Sequence, residues 1–174
     1  MLEQRLPERS RVLDLGCGGG GPTTRALAAR HDVVGVDISE RQLERARRLV
    51  PEARFLSADA TEVAFEPESF DAVVSLFLLG HVPRAKQRPL LERIFRWLAP
   101  GGRLLATLGT ANADDEVEAD WLGAPMFFAS YDEAWNRHAL ESTGFVLEEA
   151  RVVPFEEPGH GVVSFMWVLA RKPE

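Results

Sequence analysis

The chain has a single cysteine, Cys17, in 174 residues, so no internal disulfide can form. That usage fits the cytoplasm, the expected location. No apolar run approaches the roughly 20 residues that a membrane span requires, and the start lacks the basic-then-apolar pattern of a signal peptide. Positive charge is also in short supply. The net charge of −7 argues against a nucleic acid held through its phosphates. Two basic clusters exist, Arg41, Arg45, Arg47 and Arg48 on one expected helix and Arg84, Lys86, Arg88, Arg93 and Arg96 on another. Neither has the interleaved aromatics of a single-strand platform, and both read as solvated helix faces. There is no internal repeat, low-complexity tract or interdomain linker. The scattered histidines have no ligand spacing and no cysteine has a partner, so no metal is expected. What remains is 45% hydrophobic and 27% charged, the balance of a globular domain, and residues 1–174 read as one domain.

The densest signal is Val12-Leu13-Asp14-Leu15-Gly16-Cys17-Gly18-Gly19-Gly20-Gly21, followed by Pro22 at the first position of a helix. A buried strand, a glycine turn and a helix start together form a nucleotide-binding loop. Glycine lets the chain turn sharply and lets a ligand approach without meeting a Cβ. Two cofactors compete for it. Gly16, Gly18 and Gly21 satisfy the dinucleotide pattern, with Asp37 at a suitable distance for a ribose. That reading would make the protein a nicotinamide-dependent oxidoreductase, but it puts Asp14 where a pyrophosphate would be repelled. A carboxylate there suits a cationic ligand such as the amino group and sulfonium of S-adenosylmethionine.

Strand and helix patterns then alternate, which implies a mostly parallel sheet covered by helices on both faces. Strands are expected at about 11–15, 33–37, 53–57, 70–76 and 103–108. Helices are expected at about 22–30, up to 49 after a capping box at Ser39 and Gln42, at 86–98, and from a second capping box at Ser130 and Glu133 to Gly144. Residues 145–153 and 162–170 read as an antiparallel hairpin. Between 110 and 130 there is neither helical nor strand period, only an acidic run and then Trp121, Met126, Phe127, Phe128 and Tyr131. A loop of that length in a compact domain is often functional.

Asp14-Leu15-Gly16-Cys17-Gly18 resembles the first motif of class I S-adenosylmethionine-dependent methyltransferases. Phe70-Asp71-Ala72-Val73-Val74 and Leu98-Ala99-Pro100-Gly101-Gly102-Arg103-Leu104 resemble later stretches of the same family, in the expected order. Trp121 to Phe128 and Phe165 to Ala170 resemble a bacterial subgroup of small-molecule methyltransferase-like proteins. The resemblance implies an α/β, three-layer, Rossmann-like fold, a seven-stranded mostly parallel sheet ending in an antiparallel hairpin. It implies S-adenosylmethionine as cofactor and S-adenosylhomocysteine as product. The cofactor residues it implies are Asp14, Gly16, Cys17, Gly18, Asp37, Ile38, Asp59, Ala60, Ser75, Leu76 and Phe77. Asp37, ending its strand, can accept both ribose hydroxyl hydrogens or cap a helix. By resemblance Asp59 accepts from the adenine amine and the Ala60 amide reaches a ring nitrogen; Asp59 is otherwise a loop cap. Backbone carbonyls around Ser75, Leu76 and Phe77 correspond to those that hold the methionine amino group. Asp71, at the opposite edge of the sheet, reads as structural.

The expected reaction is in-line transfer of a methyl group to an oxygen or nitrogen of a small-molecule acceptor. The sulfonium already activates the methyl group, so the protein must align the partners, exclude water and, for some acceptors, supply a base. His81 is the candidate base, or else it orients the acceptor or is structural; His138 and His160 are weaker. Trp121, Met126, Phe127, Phe128 and Tyr131 either line the acceptor site or pack on the sheet. The Asn-Pro-Pro-aromatic motif of many amino-group methyltransferases is missing. About eleven residues precede the first motif, where many relatives carry a helix over the cofactor. The site is therefore expected to be completed by the 110–130 loop or by a second subunit in a homodimer, unless the chain is shortened. A non-catalytic cofactor-binding module is the remaining alternative.

Overall fold

The structure is a computed structural model that describes residues 2, 5–121, 123–157 and 161–174. His160 lies outside the described residues. Strand β1 (Arg11–Leu15) leads into helix α1 (Pro22–Ala28), with Pro22 at its start. Then follow β2 (Asp32–Asp37), α2 (Glu40–Leu49), β3 (Arg54–Ser57) and β4 (Phe70–Ser75). A 3-10 turn at Leu79–His81 leads into α3 (Arg84–Trp97) and directly on into β5 (Leu98–Leu108). After β6 (Ala113–Trp121) and β7 (Ala124–Ser130) come α4 (Glu133–Thr143), β8 (Val146–Glu157) and β9 (Gly161–Arg171).

Seven strands form one sheet in the order β3-β2-β1-β4-β5-β9-β8. The first five are parallel, and β9 enters antiparallel between β5 and β8. This is the Rossmann-like methyltransferase sheet expected from the motifs. Alternation along each strand sends side chains to both faces. On one face Leu13, Leu15 and Val73 pack with Leu90, Leu91 and Ile94 of α3 and Ala139 and Leu140 of α4. On the other, Val12, Val33 and Val74 pack with Leu27 of α1. The parallel strands are buried on both faces, so they read as continuous apolar runs.

The local signals behave as their chemistry dictates, with two corrections. Ser39 caps α2 by accepting the Gln42 amide at 3.4 Å, one half of the expected capping box, while its own amide donates to Asp37 rather than to Gln42. The cap of α4 differs. Asp132, not Ser130, accepts the Trp135 amide at 2.8 Å, while the Ser130 hydroxyl donates to the Ala111 carbonyl. Gly144 ends that helix in the left-handed region at φ 111°. The second correction concerns residues 110–130, which form the antiparallel hairpin β6–β7 rather than an aperiodic loop. The alternation is missing because β6 is exposed along almost its whole length, so neither of its faces needs to be apolar. Two of its five acids, Asp114 and Asp115, are paired instead with Arg84, through the guanidinium at 2.6 Å and the backbone amide at 3.0 Å.

Candidate active site

Parallel strands of an open α/β sheet present their carboxyl ends along one edge, where ligands bind. The loop after β1 is drawn across that edge by backbone bonds: the Gly16 and Cys17 amides donate to the Val36 carbonyl at 2.8 and 3.0 Å. Gly18 is in the left-handed region at φ 54°, and a Cβ added there would meet no atom within 4 Å. The loop therefore leaves an open cradle, where a side chain would take a ligand's space. Asp37, at the end of β2, spans the cradle. One carboxylate oxygen accepts the Gly18 amide at 2.8 Å and the other accepts the Ser39 amide at 2.9 Å. Each oxygen retains a lone pair for a further donor. Ile38 beside it is 73% exposed, an apolar surface at the same rim.

Asp14 sits on the Val12 face of β1, beneath α1, where the Thr24 hydroxyl donates to it at 2.7 Å. Burial pushes its carboxyl up to about 6; the Thr24 bond pulls the other way and the nearby Asp37 charge adds to the rise. Cys17 is buried too, and burial with the two neighbouring carboxylates pushes its thiol up to about 12, which leaves it protonated and unreactive. Asp59 accepts the Thr61 amide at 2.7 Å, and that bond holds its carboxyl below the usual carboxylate range. Its segment is tied down by Arg93, whose guanidinium donates to the carbonyls of Thr61 and Val63. Ala60 beside it is buried. Asp71 lies at the opposite edge, where it accepts the Arg11 amide at 2.7 Å and the Arg11 guanidinium at 2.8 Å, a structural part.

Beyond Ser75, which is fully buried, the chain leaves β4 through Leu76 and Phe77. Phe77 takes the left-handed region at φ 56°, rare for a bulky residue, and its amide donates to the Thr107 hydroxyl at 2.6 Å. That strained turn swings the ring over the carboxyl edge, edge-to-face against Phe165 at 5.1 Å. Such outliers gather where a ligand site demands them.

Phe77 forms one wall of a cavity of about 580 Å³. Phe155 and Phe165 come from β8 and β9, and Trp121 and Phe128 from the β6–β7 hairpin. His81 lies at its edge, with its ring 5.0 Å from that of Phe128. Its Nδ1 is 2.8 Å from the Phe127 carbonyl oxygen. A carbonyl only accepts, so Nδ1 carries the hydrogen and Nε2 keeps its lone pair in the neutral ring. A histidine so fixed can take a proton from an acceptor. Of the other lining candidates, Met126 and Phe127 are not among the cavity's lining residues. Tyr131 is held elsewhere, stacked on Trp135 at 3.5 Å with the Arg84 guanidinium 4.1 Å above its ring. His138 is exposed on α4.

Several contributors were not singled out in the sequence. Phe155 and Phe165 look like ordinary strand residues; the one available signal is that Val153, Phe155, Val163 and Phe165 share a face of the β8–β9 hairpin. Gln87, buried in α3, donates to the carbonyls of Val82 and Ala129 and so ties the hairpin to the turn that carries His81. Nothing in its sequence context marks it. Among the described residues no group of three or more side chains has the arrangement to hold a metal, and no helix is long and apolar enough to cross a membrane.

Comparison with known proteins agrees with this geometry. A family described as "Methyltransferase domain" matches residues 12–102, just over half of the chain. A trans-aconitate 2-methyltransferase from Variovorax paradoxus is 43% identical over 102 residues, covering 57% of this chain and 38% of that protein. A 2-methyl-6-phytyl-1,4-hydroquinone methyltransferase from Synechocystis is 32% identical over 156 residues, covering 81% of this chain and 48% of that one. The chain thus spans less than half the length of either relative. Among solved structures, a SAM-dependent methyltransferase from Methanosarcina mazei has the same fold, with a TM-score of 0.85 at 20% identity over 99% of this chain and 96% of that one. With the first-motif acid, the glycine cradle and the seven-stranded sheet in place, the chain belongs to the class I methyltransferases, an enzyme family whose cofactor is S-adenosylmethionine.

Proposed function

We infer that this chain transfers a methyl group from S-adenosylmethionine to an oxygen or nitrogen of a small-molecule acceptor. The observation that carries the reading is that Phe77 belongs both to the strand end beside the glycine cradle and to the wall of the aromatic cavity. A ligand in the cradle and one in the cavity would therefore be neighbours. Gly16, Cys17 and Gly18 would cradle the cofactor, with Asp37 on the ribose hydroxyls, Ile38, Asp59 and Ala60 at the adenine, and the backbone of Ser75, Leu76 and Phe77 at the methionine amine. Asp14 would favour the positive methionine end. When bound, the cofactor would supply a methyl group activated by its sulfonium, with a neutral thioether as the leaving group. The protein's own work is alignment, exclusion of water by the hairpin, and removal of the acceptor's proton by His81 Nε2. The names of the relatives support a small-molecule acceptor. A cytoplasmic protein that needs neither nucleic acid nor membrane, with a second subunit as an optional partner, completes the proposal.

Calorimetric titration with S-adenosylhomocysteine and, separately, with NAD tests the cofactor assignment. Micromolar binding of the first alone is expected. The Asp37→Ala variant should bind it more than tenfold more weakly with an unchanged circular dichroism spectrum; equal affinity would remove Asp37 from the ribose. Transfer of a labelled methyl group across an acceptor panel separates an enzyme from a binding module.

A further inference from the structure

We propose that the cavity selects an uncharged, flat aromatic acceptor that carries a single reactive hydroxyl, and that it rejects anionic acceptors. The proposal rests on the methyltransferase reading and adds the chemical class of the acceptor.

Three observations carry it. First, a volume of about 580 Å³ suits a ligand of two or three rings, and the walls offer five aromatic side chains. These are already set at the angles rings prefer: Trp121 meets Phe128 at 4.9 Å and 69°, and Phe77 meets Phe165 at 5.1 Å and 88°. Second, among the described lining residues there is no Asp, Glu, Lys or Arg. An anion entering would lose its hydration with no cation to replace it. Third, the polar side chains of the walls are mostly engaged. The Thr107 hydroxyl takes the Phe77 amide, the Thr110 hydroxyl donates to the Ser164 carbonyl at 3.1 Å, and the Ser130 hydroxyl donates to the Ala111 carbonyl at 2.7 Å. His81 Nε2 is then the one basic lone pair among the described lining side chains, because its Nδ1 is committed to the Phe127 carbonyl. A phenol or enol, whose proton an imidazole can take, fits that single base better than an aliphatic alcohol.

Equilibrium dialysis against the full chain saturated with S-adenosylhomocysteine tests the proposal with three probes of one ring system. These are 2-naphthol, its methyl ether and 6-hydroxy-2-naphthoate. Naphthol should bind at least tenfold more tightly than the naphthoate. It should also bind several-fold more tightly than the ether, which has no proton to give to Nε2. His81→Ala should erase the preference over the ether. Trp121→Ala and, on the other wall, Phe155→Ala should each weaken naphthol binding about tenfold while S-adenosylhomocysteine affinity stays within twofold, which also shows that the variants fold. The naphthoate binding as well as naphthol, or naphthol showing no saturable binding, overturns the proposal and leaves the methyltransferase reading intact. Failure of S-adenosylhomocysteine itself to bind instead overturns that reading and the proposal with it.

Discussion

At the scale of single residues, Asp14 is a buried acid that works against stability, a cost that the proposed ligand role accounts for. A carboxyl whose folded value is pushed up to about 6 from an ordinary 3.8 holds its proton more tightly in the folded chain than in the unfolded one. Its ionisation therefore costs the fold. The cost is complete above about pH 6, shrinks as pH falls, and is nearly gone by pH 4. Asn at this position can still accept the Thr24 hydroxyl but carries no charge. Asp14→Asn should thus stabilise the ligand-free protein by roughly 2–3 kcal/mol at pH 8 and by about half as much at pH 5. The same change should weaken S-adenosylhomocysteine binding five- to tenfold, because the methionine amine loses its countercharge. Urea unfolding at the two pH values, with titration at pH 8, checks both halves. A variant that is less stable at pH 8 would show that the charge is paired rather than merely buried. The acid could be picked out of the sequence because it stands two residues before Gly16. Its hydroxyl partner could not, since Thr24 is one of two adjacent threonines and only the rotation of α1 decides which of them faces β1.

The elements differ in how plainly the sequence announces them, and the difference is physical. β1, β2 and β4 are apolar because they are buried on both faces, and the glycine loop and the acidic strand ends carry their own turn and motif signals, so both were legible. The β6–β7 hairpin was not. It is joined to the rest through Arg84, Gln87, the Phe127 carbonyl and Asn136, whose side chain donates to the carbonyls of Gly109 and Tyr131. Such polar contacts have no periodicity. For the same reason the cavity was only half visible: Trp121 and Phe128 stood out, but Phe155 and Phe165 join them only once β8 and β9 extend beyond the sheet. The anchors are unequal. The Arg84–Asp114 pair is exposed, with Asp114 at 96%, and pairs of that kind contribute little. Gln87 is buried and satisfies two carbonyls. Gln87→Leu should therefore cost about 2 kcal/mol and speed amide hydrogen exchange across residues 113–130, while Asp114→Ala should change stability by less than about 0.5 kcal/mol. Equal effects from the two variants would mean that the hairpin is held by its surface charges.

For the whole molecule, the arrangement places the cofactor candidates at or just beyond the carboxyl ends of four strands: Asp14 in β1 and the loop after it, Asp37 and Ile38 at the end of β2, Asp59 and Ala60 after β3, and Ser75, Leu76 and Phe77 at the end of β4. Connecting loops are where a protein opens most easily. A ligand that bridges all four should close those local openings and stabilise the fold as a unit. The linkage has a definite size. A ligand at about 100 times its Kd adds about 2.7 kcal/mol if it binds only the folded chain. For a protein of this length that corresponds to a rise in Tm of about 5–10 °C. S-adenosylhomocysteine should produce that rise in a thermal melt, and NAD at the same concentration should leave Tm within about 1 °C. With Asp37→Ala the rise should shrink by about 3–5 °C at unchanged ligand concentration, since a tenfold loss of affinity removes about 1.4 kcal/mol of the linkage. An equal shift with NAD would return the glycine loop to the dinucleotide reading and leave Asp14 without a role. An unchanged shift in Asp37→Ala would keep the cofactor but detach it from the end of β2.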